Sequence, residues 1–322
     1  MCADATVNAA LGAKIAARAA TFREVSTSPF GVDDEIGMLN LLNDVASDEL
    51  LRRVTGAPVD LSVDYFIGMP SWQAFGDPAF QIWMTHTPQG NLVDDVIGVG
   101  EAQNSLVGYS SDSISMYTHT GTHVDALNHF GYGQSIWNNF SQDKHLGSRY
   151  WTKGGADKHP PIITRGILLD VAAHEGTAQL PPSFLITPEL LADTAKAQGV
   201  AIQPGDVVFI RTGRMQAWPD SDAYIVDEPG IARDGAEWIA KQGAAIIGSD
   251  NAAIEVRPSQ DPENFHDVHT YLLAEAGVPM LEIADLEGLS AAQMYEFAFI
   301  GAALKIRGAT GSPIRPLALA LA

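Results

Sequence analysis

From Val59 to the carboxyl terminus, apolar β-branched runs alternate with stretches of helical periodicity. The runs Ile162 to Val171, Val207 to Arg211, Ala244 to Gly248, Val278 to Ile283, Phe297 to Ile306 and Ile314 to Ala320 predict strands. They are apolar almost throughout, which is the pattern of strands covered on both faces. Between them, Thr187 caps a predicted helix that opens with Pro188 and Glu189 and closes near Gly199. Ala232 to Lys241 predicts another, with Gly243 past its end. This alternation implies an α/β core over residues 59–322. Residues 1–58 mix short helical patterns with loops: an amphipathic stretch through Leu11, Ile15 and Ala19, and a helix over Ser47 to Arg53 capped by Ser47 or Asp48. They are expected to form an arm lying on the core or on a partner subunit. Leu92 to Ser115 and Gln142 to His159 are polar, rich in glycine and weakly periodic, so long loops are expected there.

Charge narrows the choice of partners. The chain has 322 residues with 19 Lys and Arg against 39 Asp and Glu, a formal charge of −20. No Lys/Arg run exists to displace the counterions of a nucleic acid or to meet an anionic bilayer, so neither partner is expected. A small molecule is the expected substrate, and a homodimer or homotetramer the expected assembly. Cys2 is the only cysteine, which excludes an intrachain disulfide and fits a reducing compartment. The alanine-rich start is interrupted by Lys14 and Arg18 and lacks the order of an export signal. No apolar run reaches the ~20 residues of a membrane span. A cytoplasmic protein is expected.

The densest chemistry lies in His119-Thr-Gly-Thr-His123-Val-Asp125-Ala-Leu-Asn-His129-Phe130, which holds three of the nine histidines and a carboxylate. Imidazole and carboxylate are the donor set of a catalytic Zn²⁺ or Mn²⁺ site. A helix would put His119 and His123 on one face and turn Asp125 away. A straight strand would hold the two histidines roughly 13 Å apart at about 3.3 Å per residue. The donors converge only if the chain bends between them, and Gly121 is free to make that bend. Asp125 and His129, four residues apart, meet if a helical turn starts near Thr122. The alternative is a histidine-rich loop whose rings are satisfied by backbone carbonyls. There is no Gly-x-Ser-x-Gly elbow, no Walker loop and no His-Glu-x-x-His, so serine-triad and nucleotide readings lack support.

His-x-Gly-Thr-His-x-Asp-x-x-x-His-Phe resembles the signature of the cyclase family of metal-dependent hydrolases, which includes kynurenine formamidases and isatin hydrolases. Phe30 to Asn40, Asp60-Leu61-Ser62 with Gly68-Met69-Pro70, Pro204-Gly205-Asp206 with Arg211-Thr212-Gly213, His269-x-x-Leu272-Leu273 with Glu282, and Gly311-Ser312-Pro313 follow in the family's order. One departure is Ala126-Leu127, where many formamidases carry Ala-Pro, and it points away from formamidases in particular. The resemblance implies a swivelling β/β/α domain, a mixed central sheet flanked by helices. It also implies that His269 and Glu282 approach the ion, or hold a second one, giving one or two per subunit. His266 competes with His269 for that place, and the Leu272-Leu273 register favours His269. Asp250, at the end of a strand, is at most a supporting residue.

His119, His123 and Asp125 as ligands leave positions open for water and a substrate carbonyl, which is a catalytic arrangement. His129 either moves a proton, as the family implies, or orients Asp125; Glu282 is the other candidate catalytic residue. Trp72, Phe75, Phe80, Trp83 and Phe130 are candidate pocket walls for a flat or aromatic substrate. The expected function is hydrolysis of an amide C–N bond in a small cyclic or aryl-attached metabolite, by attack of metal-bound hydroxide. A lactone hydrolase would use the same machinery, and a polyketide cyclase or a metal-binding protein without turnover are the remaining alternatives.

Overall fold

The computed structural model describes residues 24–42, 44–72 and 76–322. The amphipathic stretch through Leu11, Ile15 and Ala19, Cys2 and Phe75 lie outside the described residues. Strands β1 (Val54–Asp60), β2 (Gln81–His86), β3 (Ser111–Ser115), β4 (His123–Asp125), β5 (Ile162–Asp170), β6 (Val207–Arg211), β7 (Ile246–Ser249), β8 (Met280–Glu282), β9 (Glu296–Gly301), β10 (Gly311–Pro313) and β11 (Leu317–Leu321) carry the architecture. Nine of them form one mixed sheet in the order β1-β11-β9-β5-β6-β7-β8-β4-β10. The run β5-β6-β7-β8 is parallel, and the pairs on either side are antiparallel. The α/β expectation, a mixed sheet flanked by helices, holds.

The continuous apolar runs divide by period two into two cores. Leu169, Val208, Ile210, Ile247 and Met280 face a helical layer built from α4 (Pro188–Gln198), α5 (Arg233–Ala240) and α6 (Asp267–His269), the last continuing as a π-helix over Thr270–Ala276. Leu168, Val207, Phe209, Ile246 and Leu281 face Phe297 and Phe299 of β9 instead, with Phe209 centroids 6.3 and 5.9 Å from those two rings. The sheet curls far enough to cover its own second face. Chain connectivity demands the curl: β10 at one edge and β11 beside the other are joined through residues 314–316 alone. At no more than ~3.6 Å per residue, that link brings the two ends within about 14 Å.

Local chemistry accounts for the element ends. Thr187 Oγ1 accepts from Leu190 N at 3.3 Å, Pro188 opens α4, and Gly199 closes it at φ +69°. Helix α1 (Asp44–Arg52) starts ahead of Ser47, whose hydroxyl donates to the Ile163 carbonyl of β5. The strand predicted from Ile314 to Ala320 starts only at Leu317, because Pro316 has no N–H for the ladder; the Pro316 carbonyl accepts from Leu61 N at 3.0 Å. The strand expected from Phe297 to Ile306 ends at Gly301, where the chain leaves the sheet. Leu92 to Ser115 is not the long loop expected. β2 and β3 pair as an antiparallel ribbon enclosing α2 (Pro88–Asp94), capped by Thr87, and α3 (Glu101–Leu106). Gln142 to His159 is mainly loop, with a short helix at Gln142–His145 and a 3-10 turn at Ala156–Lys158.

The division expected after residue 58 falls inside β1, which pairs with β11. The preceding segment lies against the helix that leads out of α6. Ser26 N donates to Ala274 O at 2.9 Å, Met38 N to Gly277 O at 2.7 Å, and the Trp137 indole to Asp34 at 3.0 Å. Asp250, just past β7, accepts from Thr212 N and Oγ1, Gly213 N and Arg214 N at 2.7–3.0 Å and fixes the turn after β6. It is buried there and supports that turn, not the histidines. Asp250→Ala leaves those donors buried without an acceptor, and stability is expected to fall by on the order of 3 kcal/mol. The urea midpoint at constant m measures it; a loss under about 1 kcal/mol would mean that water replaces the carboxylate.

Candidate metal centre

Strand β4 places the central candidate ligands. Its residues sit between β8 and β10, with His123 opposite Glu282 and Pro313, and Asp125 opposite Met280 and Gly311. Side chains two apart on a strand share a face, as do residues directly opposed across an antiparallel pair. His123, Asp125 and Glu282 therefore point together. The bend expected at Gly121 is present at φ +63°, and a Cβ there would lie 2.8 Å from Tyr65 Cζ. Tyr65 Oη in turn donates to Thr122 O at 2.9 Å. No helical turn starts near Thr122. Sheet pairing on both sides claims residues 123–125, and a turn closed by His129 N donating to Ala126 O at 2.9 Å brings His129 back.

Asp125 is the hub. Its Oδ1 lies 2.6 Å from His119 Nδ1 and 3.3 Å from His123 Nε2; its Oδ2 lies 3.8 Å from His129 Nε2 and 3.9 Å from His269 Nε2. Glu282 reaches His123 Nε2 at 3.2 Å and His269 Nε2 at 3.3 Å. The structure thus gathers His119, His123, Asp125, His129, His269 and Glu282 in one buried group. Three of the rings are held from behind: His119 by Thr310 Oγ1 at 3.0 Å, His123 by the Gly121 carbonyl at 2.8 Å, His269 by Glu255 at 2.7 Å. That is how metal-ligating histidines are oriented. His129 has no such bond among the described residues and stacks on His119, with centroids 3.8 Å apart.

A cation fits this donor set on a structural ground. His123 Nε2, Asp125 Oδ2 and Glu282 Oε1 are buried and make no hydrogen bond among the described residues, and the three side chains offer ligand atoms within 4.8 Å of one another. Such atoms are costly to bury unless something binds them. Two overlapping groups, His123-Asp125-Glu282 and His119-Asp125-His129, share the aspartate, so the residues present suit one ion or two.

Electrostatics match. Burial opposes charge on His123, yet the Asp125 and Glu282 carboxylates outweigh it and push its pKa up to about 10. His269 rises to about 10 against the same burial penalty, through Glu255 and Glu282. Burial also works against Asp125, but the His119 and His129 rings hold its pKa well below the usual range. His129 goes the other way: burial first, then the neighbouring His119, keep it neutral at physiological pH.

A cavity of about 140 Å³ opens onto the group, lined by Trp72, Tyr117, His119, His129, Phe130, Ala252, His266, His269 and Glu282. Trp72 and Phe130 are thus at the cavity. Phe80 is not: it is buried against Tyr65 at 5.8 Å between centroids. Trp83, on the β2–β3 ribbon, is half exposed and outside the cavity lining. A larger groove of about 670 Å³ runs beside β1, β9 and β11, but no histidine lines it. Sequence reasoning missed Tyr117 and Glu255. Neither lies in a spacing that signals a site, and Glu255 reaches it only because Ile254 takes a left-handed φ of 57°.

The comparisons show the family and the fold. The family model described as "Putative cyclase" matches residues 59–256. The chain belongs to the cyclase family. A crystal structure described as a novel cyclase is 27% identical, with TM-score 0.78 over 90% of this chain and 96% of that one. Isatin hydrolase A from Ralstonia solanacearum is 22% identical, with TM-score 0.62 over 82% and 91%. A predicted metal-dependent hydrolase from Bacillus stearothermophilus is 21% identical, with TM-score 0.52 over 82% and 98%. None of the curated proteins compared with the chain matches it. Among the described residues no helix is long and apolar enough to cross a membrane.

Two outcomes follow from this geometry. Gly121→Val should lower zinc content at unchanged circular dichroism, because a β-branched residue resists positive φ and meets Tyr65. Full zinc content would show that the bend is dispensable. Zinc binding at pH 7 should release about two protons, from His123 and His269, because the ion and the proton compete for the same nitrogens. Affinity should then rise with pH while these groups remain protonated, up to about pH 10. Calorimetry in buffers of different ionisation enthalpy counts the protons; zero release would remove both rings from the ligand set.

Proposed function

We propose that the chain is a metal-dependent hydrolase that cleaves an amide C–N bond in a small cyclic or aryl-attached metabolite. One observation carries this: His119, His123 and His269 are each held from behind, while His129, beside them at the aromatic-walled cavity, is not. Fixed rings suit an ion, and a neutral ring without an anchor suits a proton in transit. The Ralstonia isatin hydrolase gives the amide reading its support, since isatin is a cyclic amide.

His119, His123, Asp125, His269 and Glu282 would hold a divalent ion such as zinc or manganese. When bound, the ion supplies a water acidified towards a pKa of about 7 and a positive charge for the carbonyl oxygen. His129, neutral and 3.8 Å from Asp125, takes the proton released as the water oxygen bonds to the carbonyl carbon. The same ring returns that proton to the nitrogen as the C–N bond breaks, leaving an amine and a carboxylic acid whose remaining proton passes to solvent. Trp72, Tyr117 and Phe130 exclude bulk water and pack against a flat ring. The cavity, at about 140 Å³, is close to the roughly 150 Å³ that accommodates benzene in an engineered protein core.

The test pairs metal analysis with hydrolysis assays on cyclic amides, lactones and N-formyl arylamines. Asp125→Asn should lose both metal and activity. His129→Ala should keep its metal and lose about 10²–10⁴-fold in turnover. If His129→Ala loses metal in proportion to activity, the residue is a ligand and the proton travels elsewhere. If the metal-loaded wild type opens no amide of the panel, the amide-hydrolase reading is wrong.

A further inference from the structure

Behind the ligand shell, one carboxylate oxygen serves two rings. Glu255 Oε1 lies 2.7 Å from His269 Nδ1 and 3.0 Å from His266 Nδ1. An ionised carboxylate only accepts hydrogen bonds, so both Nδ1 atoms must carry the hydrogen. The Nε2 of His266, neutral in this tautomer, is then left as an acceptor, as is the Nε2 of His269 once an ion displaces its second proton. That of His269 faces Asp125 and Glu282. His266 makes no hydrogen bond through Nε2 among the described residues, and its ring lines the cavity between Phe130, 5.1 Å away by centroids, and His269, 4.5 Å away. Glu255 is 1% exposed, and among the described residues only these two rings hydrogen-bond its carboxylate.

We propose that Glu255 fixes His266 and His269 as a pair, and that His266 presents its Nε2 as an acceptor to the N–H of the scissile amide. The second half rests on the amide-hydrolase reading and deepens it: the substrate class is secondary amides and lactams, not lactones or tertiary amides. A lone acceptor among aromatic walls gains a partner from an N–H and is left buried and unpaired by an oxygen or N-methyl group. Sites built this way reject the analogue lacking the donor by up to about 10⁴-fold. His266 thereby orients the leaving nitrogen towards His129, which protonates it. Glu255 touches neither substrate nor ion and is a positioning residue.

The experiment uses zinc-loaded protein with isatin and N-methylisatin as probes, the second keeping the carbonyl and losing the donor. Wild type is expected to bind and open isatin at least about tenfold better than N-methylisatin. His266→Ala should bring that ratio to within about threefold at unchanged zinc content, and His266→Gln, which keeps an acceptor, should restore part of it. Glu255→Gln should weaken zinc binding about 10–100-fold in a chelator competition and also lower the probe ratio, because an amide can donate as well as accept and no longer sets both tautomers. A probe ratio unaffected by His266→Ala, or Glu255→Gln with wild-type zinc affinity and ratio, overturns the proposal. Failure of the amide-hydrolase reading looks different. Neither probe would then be opened, while calorimetric binding of the two probes and the zinc titration would still decide on His266 and Glu255.

Discussion

The site depends on a buried carboxylate in the middle of a sheet. Asp125 is fully buried on β4, a strand of three residues paired on both sides. Taking a carboxylate out of water costs several kcal/mol unless charge or hydrogen bonds compensate. Four imidazole rings within 3.9 Å supply that compensation, and the pairing of β4 with β8 and β10 keeps Asp125 where they converge. The opposing residue fits the same constraint. Gly311 faces Asp125, and a Cβ on it would come within 2.6 Å of the His119 ring. The sheet makes room for the histidine by omitting a side chain.

The curl of the sheet follows from similar economy. β4 and β10 carry the ligands and their neighbours at one end, and three residues return the chain to β11 beside the far edge. Phe209, Phe297 and Phe299 fill the interior this closure creates. The helical layer covers the other face and delivers His269 through α6, with residues 24–42 hydrogen-bonded along the π-helical continuation.

Much of this was legible in the sequence, for identifiable reasons. Continuous apolar runs mark doubly covered strands whatever the topology, so β5, β6 and β7 could be placed within a few residues. Thr187-Pro188 and Gly199 are backbone chemistry and need no tertiary context. The site motif was legible because its donors are local: Gly121 and the spacing from His119 to Asp125 dictate a bend before anything else is known. What was not legible is long-range. Whether Asp125 and His129 meet by a helical turn or by a strand and a turn depends on β8 and β10, which arrive more than 150 residues later. Trp83 and Trp72 look alike in a polar, glycine-rich stretch. Only the pairing of β2 with β3 carries Trp83 out onto a ribbon and leaves Trp72 at the cavity. Glu255 was invisible because its partners, His266 and His269, become neighbours only when the chain leaves β7 and folds back through a left-handed Ile254.

The candidate ligands differ in how firmly the fold holds them, and that difference bears on the proposed mechanism. His123, Asp125 and Glu282 sit on paired strands, so their separations are set by sheet geometry and change only if the sheet does. His119 and His269 come from a turn and a helix, and each needs an anchoring acceptor to reach the same precision. His129 comes from a turn and has no anchor among the described residues; its position is set by stacking on His119 and its charge by burial. A gradient from fixed to adjustable therefore runs across a few ångströms. Rigid donors favour a binding geometry that does not relax during turnover. In the proposed mechanism, the ring without an anchor is the one that takes a proton from water and gives it to nitrogen, two positions that one rigid ring could not serve equally well.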